Sequence, residues 1–232
     1  MDIVARYGRS RGWDLLPRTV LVEGTSDVSL FALAADHYRQ ITKKTLLTDL
    51  KIVAAGEGDR GGAQGVVREL VVLRSLATTY LSRDGRPVYR VVGLFDNDTA
   101  GQKAVNGARA VDASITEYRD VFRLRPIMPR TCNLDPKALQ RCFEDQNAAY
   151  KGLTWELEDL VGESLMSLFL EEHPTALRHE VKVSDVIHRE LTRDGKSQLV
   201  RFCKDHADLA NLQGFIDVLH ALRHYMNLPK LD

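Results

Sequence analysis

Cysteine is scarce in this chain. There are three, at 132, 142 and 203, and no two stand in a Cys-x-x-Cys pair. An odd number without that spacing excludes a disulfide framework and a structural zinc site built on thiolates. Histidine offers no ready substitute: His173, His179 and His188 have no histidine partner four residues away. Aromatics are only 7% of 232 residues, too few for a broad base-stacking platform. No charge of either sign dominates: 32 Lys and Arg balance 32 Asp and Glu. Neutrality argues against a protein that coats nucleic acid without discrimination, although a local basic patch still suffices to meet phosphates. No apolar run approaches the roughly 20 residues of a membrane helix. The start, Met1-Asp2-Ile3-Val4-Ala5-Arg6, has no signal-peptide pattern, so a cytoplasmic protein with reduced thiols and no membrane partner is expected. No Gly-x-Ser-x-Gly elbow prepares a serine nucleophile. Gly195-Lys196-Ser197 has the end of a P-loop, but the first glycine of that motif falls on Glu190. The chain therefore carries no ATPase motif.

Two acidic clusters stand out, each closing an apolar run. Val20-Leu21-Val22 leads into Glu23-Gly24-Thr25-Ser26-Asp27, and Val91-Val92-Gly93-Leu94-Phe95 leads into Asp96-Asn97-Asp98. Short apolar runs of this kind predict buried, parallel strands. In open α/β sheets the carboxyl ends of such strands form the ligand site. Glu23, Asp96 and Asp98 are thereby expected on one edge of one sheet, where hard oxygen ligands suit Mg²⁺ or Mn²⁺. Gly24 permits a sharp turn and close approach of the backbone to a phosphate. Asp27 stands one helical turn further, either facing the same site or capping the helix that Ser26 and Asp27 open.

The pattern predicts strands near 18–23, 50–55, 88–95 and 121–127, with helices over 1–16, 26–39, 63–81 and 100–110. Alternation of this kind argues βαβ units and a mostly parallel four-stranded sheet. Beyond Asn133 the apolar spacing reads as helical at 157–169, 183–193 and 199–225. A division into a core, 1–132, and a helical C-terminal part, 133–232, is expected. The turn Gly56-x-Gly58-x-x-Gly61 imitates a dinucleotide fingerprint. That motif wants an acidic residue about 20 positions on; here the next strand ends at Asp96, too late.

The paired motifs resemble the TOPRIM domain of topoisomerases, bacterial primases, small ribosomal-RNA maturases and OLD-family nucleases. Glu23-Gly24-Thr25-Ser26-Asp27 has the Glu-x-x-x-Asp form of the OLD-type nucleases. Asp96-Asn97-Asp98-Thr99-Ala100-Gly101-Gln102-Lys103-Ala104 resembles the Asp-x-Asp-x-Ala-Gly-x-x-Ala stretch of primases and OLD nucleases. The likeness is good over residues 18–130 and loose beyond. It implies a Rossmann-like sheet and a two-metal endonuclease acting on DNA. It also implies a late acidic ligand, Glu158 or in its place Glu156, and a lysine, Lys196, as a catalytic cation. Glu23, Asp27, Asp96, Asp98 and Glu158 are then the ligands of Mg²⁺ or Mn²⁺, and Glu23 also the acid–base group. OLD nucleases usually carry an ATPase and often act in defence against phage, so a separate ATPase or sensor partner is expected, and an oligomer is allowed. An RNA maturase, or a nucleic-acid-binding module without catalysis, is the alternative.

Overall fold

A computed structural model describes residues 2–56 and 61–231. The chain runs through α1 (Ile3–Ser10), β1 (Arg18–Val22), α2 (Thr25–Thr42), β2 (Lys51–Ala54), α3 (Gly62–Ala77) and β3 (Arg90–Phe95). Then come α4 (Thr99–Val111), β4 (Val121–Arg123), α5 (Pro136–Gln146), α6 (Glu163–Glu172), β5 (Leu177–Val183), β6 (Val186–Leu191), α7 (Arg193–His206) and α8 (Gln213–Tyr225).

The four first strands form one parallel sheet in the order β2-β1-β3-β4. Its residues are apolar on both faces, as helices on both sides require. Val20, Val22, Ile52, Val92, Leu94 and Phe122 point to one face, packed with Leu30, Phe31 and Ala34 of α2 and with Phe215 and Leu219 of α8. Leu21, Val53, Val91, Phe95 and Val121 point to the other, against Val66 and Leu70 of α3 and Val105 of α4. The alternation along each strand is the period of two that a pleated backbone imposes. The fold class is thus α/β, a four-stranded parallel sheet flanked by helices.

The C-terminal residues complete the α2 face. Phe122 of β4 stacks on Tyr225 of α8 at a ring separation of 4.7 Å, and the Tyr225 hydroxyl donates to Pro129 O at 2.7 Å. Truncating a buried aromatic of this kind costs about 3–5 kcal/mol. Buried Arg223 donates to the carbonyls of Leu46, Thr48 and Pro229, fastening α8 to the segment before β2.

Several local expectations change. The run expected over 199–225 is two helices, α7 and α8. The helix expected at 183–193 is instead largely part of an antiparallel hairpin over 177–191. Val183, Val186, Ile187 and Leu191 imitate helical spacing, but three of the four are β-branched and fit a pleated surface. Ser184, with φ 55°, turns the chain between the strands. The expected helix at 157–169 is broken: a short 3₁₀ turn, Leu157–Leu160, is followed by α6 from Glu163. The cap of α2 is Gly24, two residues before Ser26, the expected position. Strand β4 ends at Arg123 rather than near Ile127, close to Pro126, which lacks the N–H a ladder needs. Residues 57–60 of the glycine turn lie outside the described residues, Gly58 of the fingerprint among them.

Candidate metal centre

The strand order reverses between β1 and β3: the chain leaves β1 for β2 on one side and later returns to the other. A crevice opens where the two connections diverge, and it is there that open α/β sheets take ligands. Glu23 follows the last residue of β1, and Asp96 follows the last residue of β3. The Asp96 N–H lies close enough to the Glu23 carboxylate to favour its charged form, so the two strand ends adjoin. A cavity of about 600 Å³ lies over them. Asp27, Glu158 and Lys196 complete its charged wall, and Arg193 stands at its margin.

Each acid is placed by its own backbone. Asp27 lies in the first turn of α2, and its Oδ2 accepts the Gly24 N–H at 2.9 Å. Capping and facing the cavity are therefore compatible in this residue. Asp96 Oδ1 accepts the Leu157 N–H at 3.0 Å, which ties the end of β3 to the 3₁₀ turn 61 residues on. Gly101 lets α4 pack on this point: a Cβ there would overlap Asp96 O. Asp98 is the N-cap of α4, its Oδ1 accepting the Gly101 N–H at 2.6 Å. Each of these bonds uses one carboxylate oxygen and leaves the second.

The 3₁₀ turn is held by Asp159. Its carboxylate accepts from Glu156 N at 2.8 Å and Arg189 N at 2.9 Å, and lies 2.7 Å from His188 Nδ1. Burial opposes the charged form of His188, but the hydrogen bond to Asp159 and its charge outweigh it and raise the pKa. So the hairpin β5–β6 braces the turn that carries Glu158. Lys196, in the first turn of α7, donates to Glu158 Oε2 at 3.0 Å and Glu156 Oε2 at 2.8 Å.

The electrostatics follow from crowding. Burial pushes Glu23 up to about 7, and the charges of Asp27 and Asp98 add to it. Burial lifts Glu158 to about 7 despite Lys196. Asp27 is raised by burial, and Asp96 is raised well above the usual range by burial and then by Glu158 and Glu23. Lys196 is held firmly protonated: burial opposes its charge, but Glu158, Asp96 and Glu156 outweigh that cost. Among the described residues, four carboxylates line the cavity with two cations, Arg193 and Lys196.

In the conformation described, the ligands are not gathered. Among the described residues no group of three or more His, Cys, Asp or Glu is arranged to hold a metal ion. The donor chemistry fits Mg²⁺ or Mn²⁺, with the Lys196 ammonium occupying the space between Glu156 and Glu158.

Of the residues singled out from sequence, Glu23, Asp27, Asp96, Glu158 and Lys196 share this cavity. Asp98 acts on Glu23 through its charge but lines the cavities on the other side of Asn97. Glu156 is a partner of Lys196 alongside Glu158, so the choice between the two acids is not exclusive. Sequence reasoning missed Asp159 and His188 as supports; they are 29 residues apart, and no local pattern joins them. It also missed Arg193, whose spacing of one turn from Lys196 was the available signal. No helix among the described residues is long and apolar enough to cross a membrane. In comparisons with known proteins, no family model, no curated protein and no solved structure matches this chain.

Proposed function

We propose that the chain is a TOPRIM-class phosphodiesterase that cleaves or nicks DNA with Mg²⁺ or Mn²⁺. One observation carries the reading: Glu23 and Asp96, from two separate strand ends, meet at the switch point of the sheet with Glu158 and Lys196. Buried carboxylates with raised pKa values cluster at catalytic sites more than elsewhere. Glu23 and Asp96 would hold one ion, joined by Asp98 once its carboxylate turns from the α4 cap, and Asp27 and Glu158 a second. When bound, such ions supply an activated water and neutralise charge on the scissile phosphate. Glu23, at the strand end beside the ions, is the group placed to take the proton of the attacking water. Lys196, always charged, is suited to stabilise the extra negative charge of the phosphoryl transition state. To admit a second ion, its ammonium must turn from Glu158 towards the phosphate.

The sequence carries no P-loop, so any ATP-driven control would come from a separate ATPase or sensor, as in an anti-phage effector system. Supercoiled plasmid is incubated with Mg²⁺, Mn²⁺ or EDTA. Nicked or linear product with metal, none with EDTA and none from Asp96→Asn, is the expected result. Cleavage confined to RNA would make it a maturase-type enzyme. Metal-independent binding without cleavage would make it a binding module.

A further inference from the structure

A second cavity, about 940 Å³, lies beyond Asn97 and Asp98, on the side away from Glu23. Its size is that of pockets that bury a whole small ligand, about 300–1,000 Å³. Two guanidiniums two residues apart, Arg123 and Arg125, reach its wall from the end of β4. Arg123 is already engaged: it donates to Glu117 at 2.7 Å and to Asn97 Oδ1 at 3.3 Å. Arg125 is partly buried beside it, near Tyr118 and within reach of the charge of Glu117, and among the described residues no carboxylate forms a salt bridge with it. Asp98 and Glu144 also line the cavity. Two neighbouring guanidiniums whose nearest salt-bridge carboxylate, Glu117, is taken by Arg123 leave Arg125 open to an anion. Lys103 and Lys151 stand on the exposed rim.

The aromatic wall is unusual. Tyr118 has φ 68°, a conformation that a bulky side chain adopts only under constraint from its surroundings. That backbone sets its ring 5.0 Å from Phe143; both border the cavity but are buried in the core. Strain of this kind, kept beside a cavity, points to use. Arginine forks match phosphate.

We propose that this cavity binds an unpaired nucleotide of the strand whose phosphodiester reaches the carboxylate centre, its phosphate at Arg125 and its base within the cavity. The proposal rests on the nuclease reading for its substrate, and it implies a substrate with a single-stranded flap, end or gap next to the cut. A continuous duplex keeps its bases stacked and paired and cannot offer one to the cavity.

The test is binding of fluorescein-labelled hexathymidylate in EDTA, followed by anisotropy at several salt concentrations. Wild type should bind it at least 10-fold tighter than a blunt duplex of equal phosphate count. Arg125→Gln should weaken binding at least 10-fold and lower the salt slope by about 0.7, the value for one lost single-strand phosphate contact. Arg125→Lys should keep the slope but not the full affinity, because the fork is lost. If Arg125→Gln does not fold, Lys151→Gln on the rim should show a smaller loss with the same sense of slope change. No binding by wild type, equal preference for duplex, or unchanged binding in folded variants overturns the proposal. Binding that follows these rules without any metal-dependent cleavage would remove the nuclease reading and leave the cavity standing. Metal-dependent cleavage untouched by Arg125→Gln would do the reverse.

Discussion

The ammonium of Lys196 donates to Glu158 at 3.0 Å across 38 positions of sequence. It joins the first turn of α7 to the 3₁₀ turn after β3 and places a cation inside a group of buried acids. If Lys196 serves the transition state, Lys196→Met should lower turnover by about 100-fold or more, the scale for one electrostatic stabiliser. Metal affinity should hold or rise, since a competing cation is gone. Single-turnover cleavage alongside Mn²⁺ titration calorimetry separates the two quantities.

Stability should fall as pH rises in the metal-free protein. Glu23 and Glu158 sit near 7 when folded, well above the ordinary glutamate value. The folded state therefore binds more protons than the unfolded state between about pH 4.5 and 7. Their contribution is complete below that window and lost as pH rises through it; His188, also raised, acts in the same sense around and above its usual value. Each kcal/mol lost moves Tm by about 2–4 °C in a chain of this size. Melting curves at pH 5 and pH 8 should show a drop of several degrees, and millimolar Mn²⁺ should reverse it at pH 8. A Tm that climbs from pH 5 to pH 8 without metal would contradict the acidic crowding.

Asp96→Asn should raise the pH 8 Tm of the metal-free protein. The amide oxygen can still accept the Leu157 N–H, while one charge leaves a crowded group. The same variant should lose both the Mn²⁺-induced rise in Tm and plasmid cleavage. A variant less stable than wild type, with cleavage intact, would make Asp96 a structural acceptor only.

Asp98 serves two proposed purposes that a pair of substitutions can divide. Asn is as good a helix cap as Asp, whereas Ala costs about 0.5–2 kcal/mol at such a position. Asp98→Asn should keep the stability of α4 yet lose cleavage, and Asp98→Ala should lose both. Full activity in Asp98→Asn would reduce this residue to a cap.

Asp159→Ala should leave the Glu156 and Arg189 N–H groups and His188 without their acceptor. Each unsatisfied buried donor costs about 1–3 kcal/mol. Urea unfolding should show a loss of at least that size, and Mn²⁺ affinity should fall because Glu158 loses its brace. Unchanged stability would mean that the hairpin does not support the turn.

Much of the parallel sheet was legible in sequence because its signals are local. An apolar run of five or six residues that stops at a carboxylate marks both a buried strand and its ligand end, as at Glu23 and Asp96. Helix against hairpin at 177–191 was not legible, because Val183, Val186 and Ile187 satisfy both periods and only cross-strand pairing with residues 177–182 decides. Nor could sequence arrange the acids. Glu158, Lys196 and His188 reach the end of β3 only because the C-terminal chain packs over the α2 face, and Asp98 is drawn away from Asp96 by the helix it caps. Chain chemistry alone determined which side chains are acidic and where strands stop. Tertiary packing decided which acids are buried together, and burial beside like charges is what lifts their pKa values.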